Sequence, residues 1–187
     1  MKSLNFTPFP TLDSDRLRFR KLTDDDAPEI LKLRGNPQTM EFIPRPLLVD
    51  IDGALAHIKL INDKIDENLD INWAVTKKNN DNCIGIMGFY RTQPEHFRTE
   101  LGYMILPEHA GKGYVTEAVN TLLNFAFHKL NFHSIEAVID SRHIASERVL
   151  IKNGFTKEAH FKENFYYNNV FTDTVIYSLL KRNFKTC

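Results

Sequence analysis

The chain has 187 residues, of which 42% are hydrophobic and 26% charged, a composition typical of a globular domain that excludes a disordered or fibrous protein. Lysine plus arginine and aspartate plus glutamate each number 24, so no net charge favours DNA, RNA or an anionic membrane as a partner. The two cysteines, Cys83 and Cys187, are too few for a disulfide scaffold, and no apolar stretch approaches the roughly 18 residues of a membrane span; both observations favour the reducing cytoplasm.

The first third of the chain predicts one strand, two helices and a loop between the helices. Residues 15–22 alternate basic and apolar side chains, which favours a half-buried strand over a basic binding patch. Residues 23–37 begin with a threonine and three aspartates, as helix N-termini do, and end on Gly-Asn-Pro, which stops a helix. Two prolines make residues 42–49 a loop, and apolar residues at helical spacing predict a second helix over 50–68.

The remainder alternates strands and helices. We predict strands at 71–76, 83–90 and 98–106, a helix at 115–130, a strand at 134–139, a helix at 144–153 and strands at 155–161 and 172–180. Residues 162–170, which are polar and aromatic, are predicted to be the loop between the last two strands. No repeat or low-complexity linker divides the chain, so the pattern predicts one α/β domain.

Gly111 and Gly113 lie between the predicted strand at 98–106 and the predicted helix at 115–130. Glycine permits a tight turn that exposes backbone N–H groups, and the first N–H groups of a helix lack internal partners, so this turn could bind an anion such as a phosphate. The spacing excludes two common phosphate loops, because Thr116 replaces the third glycine of one and Gly113 the serine or threonine of the other. The alternative is that the two glycines only form the turn between the strand and the helix and bind no ligand.

Two runs of residues resemble motifs of one family. Leu101 to Tyr114, with the sequence LGYMILPEHAGKGY, resembles the acetyl-CoA-binding motif of the GNAT N-acetyltransferases, in the branch that includes the ribosomal-protein N-terminal acetyltransferases. His143 to Phe155 resembles the later motif of that branch, Asn-x-x-Ser-x-Arg-Val-Leu-x-Lys-x-Gly-Phe, at the separation usual in the family.

The resemblance runs from about Leu17 to about Leu180 and implies that residues 1–187 form a single GNAT domain. The implied fold is α/β in the α+β sense, with a mixed, mostly antiparallel central sheet of about seven strands flanked by about four helices.

The resemblance also implies acetyl-CoA as the cofactor and a set of residues that bind it. The backbone near Met104 to Leu106 would hold the oxyanion, and the loop N–H groups of His109 to Tyr114 would hold the pyrophosphate. The full set is Met104, Ile105, Leu106, His109, Ala110, Gly111, Lys112, Gly113, Tyr114, Val115, Thr116, His143, Ser146, Arg148 and Lys152.

Glu100 and Ser146 are the candidate catalytic residues. A carboxylate at position 100 could accept the amine proton directly or through water, and Ser146 matches the serine proposed as the general acid in the ribosomal-protein branch. The structural alternatives are a solvated strand carboxylate and a helix serine that bonds to the backbone. The sequence departs from the family at Leu150, where many members have a tyrosine that acts as the general acid. It departs again at His143, which replaces the asparagine of the motif.

The acceptor is expected to be a primary amine that contacts Phe42, Ile43 and Tyr90. A protein N-terminal amine is the first expectation for the acceptor, and a small molecule such as an aminoglycoside or polyamine is the second. The alternative function of a different class is a non-catalytic module that binds acyl-CoA or a nucleotide. The seven histidines lack metal-ligand spacing, so no metal is expected. The protein is expected to be a monomer or a homodimer, with Phe6 and Phe9 available to dock on a partner subunit.

Overall fold

The computed structural model describes residues 4–185, which form one mixed sheet with helices on both faces. The strands are β1 Leu12–Asp13, β2 Leu17–Arg20, β3 Ile71–Lys77, β4 Asn80–Gln93, β5 Arg98–Ile105, β6 Ser134–Asp140, β7 Thr156–Tyr167 and β8 Val170–Leu180. The helices are α1 Ala27–Arg34, α2 Ile51–Asp66, α3 Tyr114–His128 and α4 Ile144–Lys152. No helix within this part of the chain is long and apolar enough to cross a bilayer.

The strand order is β1-β2-β3-β4-β5-β6-β8-β7, and every neighbouring pair is antiparallel except β5–β6. The predicted fold class, an α+β domain with a mostly antiparallel sheet and four helices, is confirmed. The sheet has one strand more than the sequence predicted, because Leu12 and Asp13 pair with Phe19 and Arg18 at its edge.

The sheet is covered on both sides. Successive residues of a strand face opposite sides, and in β5 the sulfur of Met104 meets Arg34 of α1 while the hydroxyl of Tyr103 meets Ser146 of α4. The helices α1 and α4 therefore lie on opposite faces. Trp73 and Phe89, on the two central antiparallel strands, are fully buried, and the Trp73 ring meets Phe125 of α3 edge-on at 5.6 Å.

Two expectations about the ends of the domain are wrong. The predicted loop at 162–170 is mostly strand, because Asn168 and Asn169 adopt left-handed backbone, with φ of 49° and 61°, and close a two-residue turn between β7 and β8. Phe6 is not available to a partner subunit, since it is only 4% exposed in the core of its own chain. Phe9 is half-buried with its ring 6.0 Å from that of Trp73, and Cys187 lies outside the described residues.

The two parallel strands in the middle of the sheet separate partway along their length. Their paired positions run from Arg98 with Ser134 to Glu100 with Glu136, after which β5 continues to Ile105 and β6 to Asp140 without pairing to each other. In this segment the backbone groups of β5 that face β6 have no strand partner. The result is a wedge-shaped opening in the sheet, and the site described below is built around it.

Candidate active site

The connection between β5 and α3 forms one wall of the site. After a short 3₁₀ turn at Pro107–His109, Gly111 and Gly113 adopt left-handed backbone with φ of 72° and 78°, and α3 begins at Tyr114. Among residues 4–185, no N–H group from Gly111 through Thr116 has a backbone acceptor. This row of free N–H groups at a helix N-terminus is the arrangement that binds phosphate groups.

The row is shorter than the sequence predicted. The N–H groups of His109 and Ala110 are already used, because they donate to Leu106 O and Pro107 O at 2.9 and 3.0 Å. The prediction that the N–H groups of these two residues hold a pyrophosphate is therefore wrong, although the residues themselves border the cleft.

Arg16, on the segment before β2, contacts the loop between β5 and α3. Its Nη1 donates to Lys112 O at 3.1 Å, its guanidinium carbon lies 4.5 Å from the centre of the Tyr114 ring, and its Nε lies 2.6 Å from Glu117 Oε2. Sequence reasoning assigned Arg16 no role, since the only signal was a basic strand far from the loop in the chain. The contact places a second cation beside the free N–H groups.

A cleft of about 440 Å³ lies between this loop, α4 and residues 38–43. We call it the loop cleft. The predicted cofactor-binding residues all border it except Leu106 and Lys112.

The exceptions have physical causes. Leu106 is 4% exposed and its N–H donates to Ile84 O at 2.9 Å, so neither its side chain nor its N–H is available to a ligand. Lys112 is exposed and only its carbonyl takes part in a contact, with Arg16. The structure therefore contradicts the prediction for Leu106, whereas cofactor binding by Lys112 stays a prediction.

Ser146 meets a residue that sequence reasoning missed. Its Oγ lies 2.7 Å from the hydroxyl of Tyr103, and both side chains border the loop cleft. Ser146 is 4% exposed, and burial raises the pKa of Tyr103 to about 12 against the opposing effect of its hydrogen bond with Ser146. Leu150, one turn further along α4, is fully buried and contributes no polar atom to the cleft.

A second cavity of about 550 Å³, which we call the hairpin cavity, lies beside Glu100. It is enclosed by residues 37–47, the end of β6 and the β7–β8 hairpin. Its carboxylates are largely paired: Glu100 with Arg91 at 2.5 Å, Asp140 with Arg142 at 2.7 Å and Asp173 with His160 at 2.7 Å.

Glu100 has the electrostatics of a partly buried carboxylate. Burial raises its pKa, the hydrogen bond and charge of Arg91 oppose that increase, and the nearby carboxylates Glu136 and Asp70 add to it. The pKa is raised on balance, which makes the carboxylate a better base than a solvated one.

Phe42 and Ile43 border both cavities and so form the boundary between them. The Phe42 ring stacks on His143 with centroids 4.5 Å apart, and burial lowers the pKa of that histidine. Tyr90, by contrast, borders neither cavity. Its ring packs so closely over Gly102 that a Cβ there would lie 2.7 Å from Tyr90 Cε2, and its role as a substrate contact stays a prediction.

Residues 16–156 match the family model of the acetyltransferase (GNAT) domain. The chain is a GNAT N-acetyltransferase. Over 173 residues it is 32% identical to the uncharacterized N-acetyltransferase YoaA of Bacillus subtilis, covering 92% of this chain and 98% of that protein.

Two further similarities bear on the substrate of this GNAT enzyme. The ribosomal-protein-serine acetyltransferase of Escherichia coli is 27% identical over 100 residues, 52% of this chain and 55% of that protein. The crystal structure of spermidine N-acetyltransferase from Vibrio cholerae in complex with CoA and spermine superposes with a TM-score of 0.79 at 25% identity, covering 89% of this chain and 96% of that chain.

GNAT enzymes use acetyl-CoA, which is therefore the acetyl donor of this N-acetyltransferase. The loop cleft fits that donor chemically. Its free N–H groups suit a diphosphate, Arg148 and Lys152 lie at its border, and the wedge gives access to the unpaired backbone of β5. No cluster of three or more His, Cys, Asp or Glu side chains that could hold a metal ion occurs within residues 4–185.

Proposed function

We propose that this N-acetyltransferase transfers the acetyl group directly from acetyl-CoA to the N-terminal amine of a protein, with Glu100 as the general base and Ser146 as the general acid. The observation that supports the proposal best is the pair of cavities that meet at Phe42 and Ile43, with Glu100 bordering one and Ser146 the other. The amine and the thioester can then occupy the site together, and no covalent enzyme intermediate is needed.

Glu100 serves the amine side of the reaction. An ammonium group must lose a proton before nitrogen can attack, and a carboxylate whose pKa is raised by burial accepts that proton more readily at neutral pH. Its ion pair with Arg91 opposes that increase in pKa and favours the ionised form that accepts the proton. The unpaired backbone of β5 at Met104 and Ile105 is the proposed oxyanion site, and the N–H groups of Gly111 to Thr116 are the proposed diphosphate site.

Charge supports a protein N-terminus over a polyamine. A polyamine carries several ammonium groups and would be matched by unpaired carboxylates, whereas three of the four carboxylates that border the hairpin cavity are paired, two of them with arginines. The cavity also contains Arg45 and the apolar side chains of Met40, Phe42 and Leu47, which suit a peptide. The similarity to the E. coli ribosomal-protein enzyme points the same way.

A polyamine is the second candidate, because the V. cholerae spermidine enzyme has the same fold with CoA and spermine bound. In either case the enzyme is proposed to act in the cytoplasm, which agrees with the free thiol of buried Cys83.

The test is a panel of acceptors assayed by CoA release. It contains peptides with the N-terminal sequences of ribosomal proteins, the same peptides with a blocked N-terminus and an internal lysine, spermidine, and an aminoglycoside. We expect turnover only with free N-terminal peptides. Turnover confined to spermidine or the aminoglycoside would show that the acceptor is a small-molecule amine and not a protein N-terminus. Binding of acetyl-CoA without turnover of any amine would show that the protein is a non-catalytic binding module.

A further inference from the structure

We propose that Tyr103 is a positioning residue that fixes the Ser146 hydroxyl so that its proton faces the sulfur that leaves acetyl-CoA. The inference rests on the proposed role of Ser146 as the general acid. It adds a second residue, on a different element, to the acid side of the reaction.

The hydroxyl groups of Tyr103 and Ser146 are hydrogen-bonded to each other at the loop cleft. Tyr103 on β5 and Ser146 in the first turn of α4 approach each other across the loop cleft, with Oη and Oγ 2.7 Å apart, while the carbonyl of Ser146 lies further from the phenol, at 3.4 Å. Within residues 4–185, Ser146 Oγ has no second hydrogen-bond partner. When the phenol donates to Oγ, the serine proton is therefore left to point elsewhere, and the cleft is the space that both residues border.

The protonation state of the phenol carries the second step. Because burial raises the pKa of Tyr103 to about 12, the phenol stays protonated over the whole range in which the enzyme can work. A serine hydroxyl ordinarily rotates among several orientations, and a phenol that donates to Oγ limits that freedom. Within the described residues, Ser146 Oγ bonds to this side chain and not to the backbone of its helix, which was the structural alternative raised by the sequence.

The proton balance of the step is complete. The amine lone pair forms the C–N bond, the C–S bond breaks with its electron pair on sulfur, and the sulfur takes the proton of Ser146. The nitrogen has already given its ammonium proton to Glu100, and it loses its second proton to water once the C–N bond has formed. Oγ regains a proton from the Tyr103 hydroxyl in the same motion, and the phenolate is reprotonated by water. No serine alkoxide persists, and Tyr103 compensates for the tyrosine that is replaced by buried Leu150.

Tyr103→Phe tests the inference, with Tyr177→Phe as the matched control. Tyr177 on β8 is also buried and its hydroxyl bonds the carboxylate of Glu147, the next residue of α4, so its loss removes one tether of the same helix away from the cleft. We expect Tyr103→Phe to lower kcat roughly 10- to 100-fold with an unchanged KM for acetyl-CoA, and Tyr177→Phe to leave kcat at the wild-type value.

Ser146→Ala and the double variant Tyr103→Phe/Ser146→Ala complete the experiment. If the two hydroxyls act as one unit, the double variant loses no more activity than Ser146→Ala alone. A proton inventory on the wild type in H₂O–D₂O mixtures is expected to curve, because two protons move together.

The outcomes separate the two proposals. Wild-type kcat in Ser146→Ala overturns the acid role itself. A loss in Ser146→Ala beside unchanged kcat in Tyr103→Phe overturns only the inference, as does an equal loss in Tyr177→Phe, multiplicative losses in the double variant, or a linear proton inventory.

Discussion

Gly113 and Gly154 both adopt left-handed backbone, with φ of 78° and 85°, but only Gly113 belongs to the phosphate-binding loop. A side chain at either position is strained by about 1–2 kcal/mol, whatever space surrounds it. At Gly113 the added Cβ would also lie 3.4 Å from Arg16 Nη2, at the mouth of the loop cleft. Alanine substitutions at the two glycines therefore separate the effect of backbone strain from an effect on cofactor binding.

We predict that Gly113→Ala weakens CoA binding roughly tenfold, since strain and the new methyl group displace the N–H groups that meet the diphosphate. Calorimetric titration with CoA measures the affinity. Gly154→Ala, where the nearest atom is Leu179 Cδ1 at 3.8 Å, should lose stability but keep its affinity for CoA. Equal affinities in the two variants would contradict the assignment of the loop.

The Arg91–Glu100 ion pair sets the ionisation of the proposed base. Removing Arg91 removes both effects that lower the Glu100 pKa and leaves burial and the neighbouring carboxylates, which raise it. We predict that Arg91→Met shifts the acidic limb of the kcat/KM profile to higher pH.

The control for that shift is Arg18→Met, which breaks an exposed pair with Asp13 outside both cavities. Its profile should match the wild type. If the limb of Arg91→Met also stays in place, the profile reports a base other than Glu100.

Residues that act within one motif could be predicted from the sequence, and their partners from other segments could not. Gly111, Gly113 and Ser146 follow from spacing and family resemblance. Tyr103 belongs to the quoted motif, but its bond to Ser146 spans 43 residues, and Arg16 reaches Lys112 across 96. Local periodicity contains no information on such distances.

At the scale of elements, a half-buried histidine of α2 lies within the electrostatic influence of an arginine of α1. His57 of α2 lies near Arg34 of α1, and burial first, then the charge of that arginine, lowers the His57 pKa to about 4. The imidazole is therefore neutral in the folded protein at pH values where an unfolded histidine is already protonated.

The sign of the effect on stability follows. A depressed histidine pKa gives stability that is present above the unfolded pKa of about 6.5 and is lost as pH falls from there toward 4. We predict that His57→Gln reduces the loss of unfolding free energy between pH 7.5 and 4.5 by about 1–2 kcal/mol, after allowance for partial solvent exposure.

Urea unfolding at the two pH values measures this difference, with His96→Gln as the exposed control. An identical pH dependence in His57→Gln and the wild type would show that the histidine is not neutral in the fold.

The β7–β8 hairpin shows where element prediction failed. Residues of β7 are exposed on both faces, so its sequence lacks the alternation of apolar and polar side chains that marks a half-buried strand. The Asn168–Asn169 turn is the available signal, because asparagine tolerates left-handed backbone, but two asparagines in a polar and aromatic stretch suit a longer loop equally well. The helices were predicted better because their apolar stripes are long.

At the scale of the whole molecule, the order of strands and the opening between β5 and β6 could not be predicted from periodicity. A hydrophobic pattern identifies a strand but not its neighbours, and both strands look continuous in sequence. The burial of Phe6 was missed for a related reason, since a short terminal segment shows no pattern that distinguishes packing on its own chain from packing on another.

The same opening has a consequence for hydrogen exchange. Amides in the middle of a large sheet are normally the slowest to exchange, yet along Leu101 to Ile105 every second amide faces the gap instead of a neighbouring strand. These amides should take up deuterium as quickly as those at a border strand, although β4 on their other side stays protected. When acetyl-CoA fills the gap, their exchange should slow to the rate of the sheet interior.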